Sequence, residues 1–364
     1  MPTGNPTLVP TNEFNNKKNE KIFFITLFFV SLFGNEKLSA QETKYRLVSY
    51  NVENLFDYKN DSLTNDDEFT PQGSRAWNYE KYQKKLGRIS KVIAAINDGQ
   101  PPFAIGLCEI ENARVLTDLT KYSPLKAMNY QFVHFDSPDR RGIDTGLLYQ
   151  RTLFHPFHSK AITVRFNNYS NLTTRDILYV AGIFCGTDTL HLFVCHFPSR
   201  LGGELESESK RCDVAATLKA KSDSISNSSP NAKIIIMGDF NDYPDNKSMS
   251  EILQAKLPKE DEIKPNLLYN HTKRLDDNPN IGTHKHQSEW GILDQIIVSG
   301  ALLIDDKGIT TTPFSANIFS PDFLLENDEK YLYKKPFRTY VGFKYNNGFS
   351  DHLPIYLDLN YTRK

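Results

Sequence analysis

Ile234-Ile235-Ile236-Met237 is an apolar run that stops at Gly238, with Asp239 and Asn241 just beyond it. Three β-branched side chains and a methionine suit a short buried strand. An acid and an amide, two residues apart, then stand at its end. In layered α/β architectures, chemistry collects where strands open into loops. Alone, the stretch is equally a strand followed by an Asx turn. The same pattern, however, recurs at five other strand ends.

Tyr45–Asn51 alternates and ends on Asn51. Phe103–Cys108 is a second apolar run, ending on Glu109. A carboxylate leaving such a strand is costly unless paired, hydrated or bound to a metal. Ile177–Cys185 and Leu190–Cys195 flank Gly186-Thr187-Asp188-Thr189 and form a hairpin whose second strand ends on His196. Trp290–Val298 is another strand, with Asp294 near its start, and Ser350-Asp351-His352 leads into a last strand, Leu353–Leu357.

Tyr82, Leu86, Ile89, Val92, Ile93 and Ile96 fall at helical spacing, so a helix runs from Tyr79 to Asn97 and is stopped by Asp98-Gly99-Gln100-Pro101-Pro102. A short helix is expected over Asn112–Tyr122, strands near 131–135 and 144–150, and a helix from Glu204 to about Ser224. Residues 59–78 form a surface loop. Residues 254–282 are polar and irregular, and 300–349 are insertion-like, with little regular structure. Nothing resembling a linker divides residues 44–360, which therefore make a single domain.

The N-terminus has the pattern of a cleaved export signal. Lys17, Lys18 and Lys21 precede the apolar stretch Ile22–Phe33, and Leu38-Ser39-Ala40 follows. Residues 1–16 are a polar extension ahead of it. A signal over 1–40 makes the mature protein secreted or periplasmic, with no stable membrane partner. The four cysteines, Cys108, Cys185, Cys195 and Cys212, show no metal-like spacing. Export permits a disulfide but does not choose a pair. A net charge of −1 excludes a blanket basic surface that binds nucleic acid by charge alone, while leaving room for a local basic cleft.

Asn51, Glu109, His196, Asp239, Asn241, Asp294, Asp351 and His352 are thus gathered at predicted strand ends. Carboxylates and amides without thiolates favour a hard cation, Mg²⁺ or Mn²⁺, over zinc. With an aspartate to orient water and imidazoles to donate, such a set suits attack on a phosphate ester.

Six motifs occur in one order: Tyr50-Asn51-Val52-Glu53-Asn54, Glu109 after its strand, the His196 strand end, Gly238-Asp239-Phe240-Asn241, Leu293-Asp294-Gln295, and Ser350-Asp351-His352-Leu353-Pro354. Together they resemble the endonuclease/exonuclease/phosphatase superfamily, typified by deoxyribonuclease I and the apurinic endonucleases. The resemblance covers about 44–359. It implies an α+β fold, a four-layer α/β/β/α sandwich of two packed mixed sheets. It also implies that Glu109, Asn51 and Asp351 hold the metal, that Asp239 activates water and that Asn241 contacts phosphate. His352, held by Asp294, would be a phosphate-stabilising donor, and His196 a general acid with Asp144 as its acidic partner. Arg200 could bind a second phosphate bidentately, and Arg141, ahead of Arg140, is a further substrate contact. His284 and His286 are placed on the surface, and Trp290 in packing.

The expected activity is a secreted, divalent-metal-dependent phosphodiester hydrolase, a monomeric nuclease acting on DNA or RNA. The alternatives are a phosphatase or phosphodiesterase for inositol phosphates, phospholipid head groups or nucleotides, and a non-catalytic binding protein on the same scaffold.

Overall fold

The computed structural model describes residues 43–363, apart from 170, 260–262, 281, 306 and 332. The signal read over residues 1–40 lies outside the described residues.

The first half comprises β1 (Thr43–Leu55), α1 (Tyr79–Ala95), β2 (Ala104–Ile110), α2 (Ala113–Thr117), β3 (Gln131–His134), β4 (Asp144–Tyr149), β5 (Phe154–Ile162) and β6 (Ile177–Phe184). Then follow β7 (Asp188–His196), α3 (Glu204–Ser228), β8 (Lys233–Asp239), β9 (Leu268–Asn270), β10 (His284–His286), β11 (Glu289–Gly291), β12 (Asp294–Ser299) and α4 (Ala301–Ile304). The last part holds β13 (Gly308–Thr310), β14 (Ala316–Ile318), β15 (Leu325–Asn327), β16 (Lys334–Pro336), β17 (Tyr340–Val341), β18 (Lys344–Tyr345) and β19 (Ile355–Thr362).

Two mixed sheets result, one ordered β13-β19-β1-β2-β4-β3 and the other β5-β6-β7-β8-β12-β9. Each contains one parallel pair, β1 with β2 and β7 with β8. A parallel pair needs a long crossover, and α1 and α3 supply them. Asn78 caps α1 by accepting the Lys81 N–H. Glu204 and Glu206 sit in the first turn of α3, where the helix dipole favours acids.

Three apolar clusters show how these elements are layered. Tyr82, Leu86, Ile89 and Ile93 of α1 pack on Val48, Tyr50, Ile105 and Leu107 of the first sheet. Val214, Ala215 and Leu218 of α3 pack on Phe193, Ile234 and Ile236 of the second. Between the sheets lie Leu47, Leu192, Val194, Ile235, Met237, Ile296 and Leu357. The order is therefore helix, sheet, sheet, helix, the α/β/β/α sandwich that the resemblance implies. Burying each large aliphatic side chain contributes roughly 1.5–3 kcal/mol. A Cβ on Gly106 would meet Met237 Sδ at 2.9 Å, so glycine there lets the sheets close on one another.

Some expectations are corrected. Residues 154–162 form β5, an edge strand that sequence reading passed over. Residues 300–349 are more than an insertion: β13 and β14 both pair with β19 and widen the first sheet. β9 lies within the stretch read as irregular. The strand expected over Trp290–Val298 is two strands, β11 and β12. The helix expected over 112–122 is α2 followed by a single π-turn at Asp118–Tyr122. The cysteine state, which sequence left open, is settled without contradiction: all four are free thiols. No helix among the described residues is long and apolar enough to cross a membrane.

Candidate active site

Side chains alternate along a strand, so the residues facing the other sheet recur every second position. On β7 that series is Leu190, Leu192, Val194, His196; on β8 it is Ile235, Met237, Asp239. On β12, read backwards, it is Val298, Ile296, Asp294, and on β1 it is Leu47, Ser49, Asn51. At one end of the sandwich all four series turn from apolar to polar. Register completes the grouping, because Asp239 pairs directly with His196 on one side and Asp294 on the other.

Glu109 breaks the alternation. It is the extra residue between the Cys108↔Thr145 and Ile110↔Asp144 pairs, and its φ is +66°. A bulge with a left-handed residue re-aims a side chain at a local cost. Here it turns the carboxylate towards Asn51. Asn51 Nδ2 donates to Glu109 Oε1 at 3.3 Å and to Asp239 Oδ2 at 3.0 Å. Asn54 N donates to Glu109 Oε2 at 2.7 Å. Asn241, also left-handed at φ +49°, donates its N–H to Asp239 Oδ1 at 2.9 Å.

Asp239 Oδ2 is the hub. His196 Nε2 lies 3.6 Å from it and His352 Nε2 3.7 Å. His352 Nδ1 is held by Asp294 Oδ2 at 2.7 Å. The loop carrying His352 is tied down by Ser350, whose hydroxyl donates to Asn51 O at 2.7 Å. Thr283 Oγ1 accepts the Asp294 N–H at 3.0 Å and fixes that strand's start.

The two imidazoles differ in charge. Burial disfavours the charged form of His352, but Asp294 and Asp239 outweigh it and hold its pKa well above the usual histidine range. Burial, followed by repulsion from Arg175 and Arg141, drives the His196 pKa well below that range. Burial pushes the Asp239 carboxyl up to about 7, against the pull of His352. The two imidazoles around Asp239 are thus biased in opposite directions, His352 towards its charged form and His196 towards its neutral one.

The structure therefore brings together Asn51, Glu109, His196, Asp239, Asn241, Asp294 and His352. Asp351 stands next to His352 but is engaged by Arg338, whose Nη2 donates to its Oδ2 at 2.7 Å. Asp144 is not the partner of His196. It accepts from Ser137 and lies 3.1 Å from His134 Nε2, while His196 Nδ1 is buried without a hydrogen-bond partner. Arg200 is committed to its own loop: Nε donates to Asn241 O at 2.8 Å, Nη2 to Asn246 Oδ1 at 2.9 Å, and the guanidinium covers the Tyr243 ring. Arg141 is half exposed beside Asp139, close enough to repel charge on His196. His284 is partly buried, its ring packed on that of His352 at 4.8 Å, whereas His286 is exposed.

Sequence reading missed Glu53, Lys85, Arg175 and Arg338. Arg175 is buried, donating to Asp139 Oδ2 at 3.0 Å and to Phe197 O at 2.6 Å. Glu53 was within the quoted first-strand motif and was legible as a second acid there. The three cations gave no local signal, because their partners are distant in sequence.

The donors fit a hard divalent cation. Glu109 and Asp351 would offer it carboxylate oxygens, and Asn51 its Oδ1, which here accepts the Glu53 N–H at 3.0 Å. A second acidic group, His134, Asp136 and Asp144, has ligand atoms within 4.8 Å of one another. In that group the two aspartates face different nitrogens of one ring, Nδ1 at 3.9 Å and Nε2 at 3.1 Å. A cavity of about 680 Å³ borders Leu353, the residue after His352, and is lined by Trp290, Lys285, Lys334 and Ile318 among others.

Several solved structures share the fold. D. rerio TDP2 in complex with a single-strand DNA product is 17% identical, covers 87% of this chain and 99% of its own, and has a TM-score of 0.52. The human Nocturnin catalytic domain is 18% identical over 88% and 97%, with a TM-score of 0.50. An endonuclease/exonuclease/phosphatase family protein from Bacteroides thetaiotaomicron is 15% identical over 89% and 97%, with a TM-score of 0.52. No curated protein matches the sequence. The description of the Endonuclease/Exonuclease/phosphatase family matches residues 46–361. The chain belongs to that family, whose members are typically hydrolytic phosphoesterases.

Proposed function

We propose that this chain is a divalent-metal-dependent phosphodiester hydrolase that cuts nucleic acid. The observation that carries the reading is the meeting of the Asn51 amide and the His196 and His352 rings at Asp239 Oδ2, at 3.0, 3.6 and 3.7 Å.

Glu109, Asn51 and Asp351 are the residues that would hold the cation. When bound, it supplies positive charge to the non-bridging phosphate oxygens. Asp239 Oδ2, the meeting point of both imidazoles and the Asn51 amide, orients the attacking water and accepts its proton. The His352 imidazolium donates from Nε2 to a phosphate oxygen, with Asp294 fixing its tautomer through Nδ1. His196 is neutral and so serves as a hydrogen-bond donor through Nε2. A neutral ring is a poor general acid, so as the new P–O bond forms and the bond to the leaving oxygen breaks, that oxygen takes its proton from solvent. Asn241 keeps Asp239 aligned through its own N–H.

A nucleic-acid substrate is supported by the cavity beside Leu353, where the Trp290 indole offers a stacking face and the exposed Lys334 positive charge. Export is part of the same proposal and rests on the apolar stretch Ile22–Phe33 with its basic approach. N-terminal sequencing of the secreted form tests it.

The central experiment is a hydrolysis screen in Mg²⁺ or Mn²⁺ with DNA, RNA, bis-p-nitrophenyl phosphate, inositol phosphates and sphingomyelin. Turnover of nucleic acid and of the diester, abolished by chelator and by Asp239→Asn, is expected. Turnover that survives chelation overturns the metal's role. Hydrolysis of inositol phosphates alone overturns the nucleic-acid assignment.

A further inference from the structure

We propose that Arg338 is a built-in competitor of the metal ion: it occupies Asp351 and thereby sets how weakly the site holds a divalent cation. The inference rests on the metal-dependent reading above and concerns residues that reading leaves unused.

Arg338 lies between β16 and β17, far along the chain from the strands that carry the site. Its Nη2 donates to Asp351 Oδ2 at 2.7 Å, and its Nε donates to Glu53 Oε1 at 3.4 Å. The next residue, Thr339, donates its N–H to Glu53 Oε2 at 2.6 Å. A second cation stands behind. Lys85 of α1 is buried, its Nζ 4.0 Å from Glu53 Oε2, and it donates to Thr339 Oγ1 and Phe349 O at 2.6 Å each. Both cations also interact with Glu109. Two carboxylates that would serve the ion, Glu109 and Asp351, and the neighbouring Glu53 therefore face two positive charges belonging to the chain.

The two cations differ in freedom. Lys85 has 1% of its side chain exposed and three fixed neighbours, so it is part of the scaffold. Arg338 has 41% exposed, so its guanidinium can leave Asp351 for solvent. A divalent ion can take Asp351 by displacing the guanidinium, or bind Oδ1 while Arg338 keeps Oδ2. Displacement costs a charge-assisted hydrogen bond, and sharing costs like-charge repulsion at close range. Either route weakens ion binding, so the direction of the effect does not depend on which one operates.

Isothermal titration of Mn²⁺ into the full chain, without substrate, tests the proposal on wild type, Arg338→Gln and Arg338→Lys. Arg338→Gln should bind Mn²⁺ roughly tenfold tighter, as expected when a nearby positive charge is removed. Arg338→Lys keeps the charge and should stay close to wild type. Equal or weaker binding by Arg338→Gln overturns the proposal; weaker binding by both variants would assign Arg338 to positioning Asp351 instead. If wild type binds Mn²⁺ and Arg338→Gln is unchanged, only the arginine's role falls. If none of the proteins binds Mn²⁺, the metal-dependent reading falls as well.

Discussion

His196 and His352 approach the same oxygen of Asp239 at nearly the same distance, 3.6 and 3.7 Å, yet the first is biased towards its neutral form and the second towards its charged one. Their surroundings explain the difference. Behind His352 stands Asp294, a carboxylate with no exposure, whose Oδ2 takes the Nδ1 hydrogen bond. Beyond His196 stand Arg175 and Arg141, and its Nδ1 has no hydrogen-bond partner. Both rings are buried, and burial alone would leave both neutral. What separates them is the sign of the nearest fixed charge. The fold can therefore place a proton donor and a neutral polar group around one base using the same side chain twice.

Removing the shared carboxylate breaks the comparison most severely. Asp239→Asn should lower kcat by roughly 10²- to 10⁴-fold, the range for a lost general base. A steady-state assay on a diester substrate checks this, and a loss under tenfold would move the base elsewhere. Removing the support of one ring comes next. Asp294→Asn should cost on the order of 10²-fold in kcat, the effect of losing a charged donor to phosphate. It should also bring the alkaline limb of the kcat profile down in pH, because His352 then loses its proton nearer to about 6.5. An unshifted limb would detach His352 from the alkaline pKa.

Stability sharpens the contrast with opposite signs. His196 is neutral when folded and takes a proton when unfolded, so its contribution is lost as pH falls below about 6.5. His352 is charged when folded, so its contribution is complete below about 6.5 and is lost as pH rises through its raised pKa. Against His196→Gln, wild type should therefore lose about 1.4 kcal/mol of relative stability per pH unit below 6.5. Against His352→Gln, it should lose a similar amount per unit above 6.5. Denaturant titrations across pH measure both slopes, and slopes of the same sign would rule out the charge assignment. The smallest effect belongs to Arg141, half exposed and paired only loosely with Asp139 at 3.7 Å. Arg141→Ala should raise KM a fewfold, leave kcat nearly unchanged and alter stability by about 0–1 kcal/mol. A large fall in kcat would place it in the reaction itself.

Much of this site was legible because strand alternation is a local property. Met237 followed two residues later by Asp239, and Val194 by His196, announce a buried face turning polar. Glu109 was found by its strand, although its orientation depends on a bulge that alternation does not foresee. β5 was missed because Phe154–Ile162 is largely exposed, holds Pro156 and lies at a sheet edge, where apolar patterning is weak. Arg175 and Lys85 carry no local signal at all. Lys85 sits on the buried side of α1, at a position that periodicity assigns to an apolar residue, and its hydrogen-bond partners, Thr339 and Phe349, lie more than 250 positions away. Asp144 was matched to the wrong histidine for a related reason: the short strand β3 brings His134 beside it across the sheet.

The charge of the two rings can be read directly. In the full chain at pH 7 with chelator present, ¹⁵N NMR of the imidazoles, assigned with His196→Gln and His352→Gln, reports each nitrogen's protonation. The account predicts two protonated nitrogens on His352, and on His196 a single proton with Nδ1 bare. Equal protonation of the two rings, or the reverse pattern, would contradict it.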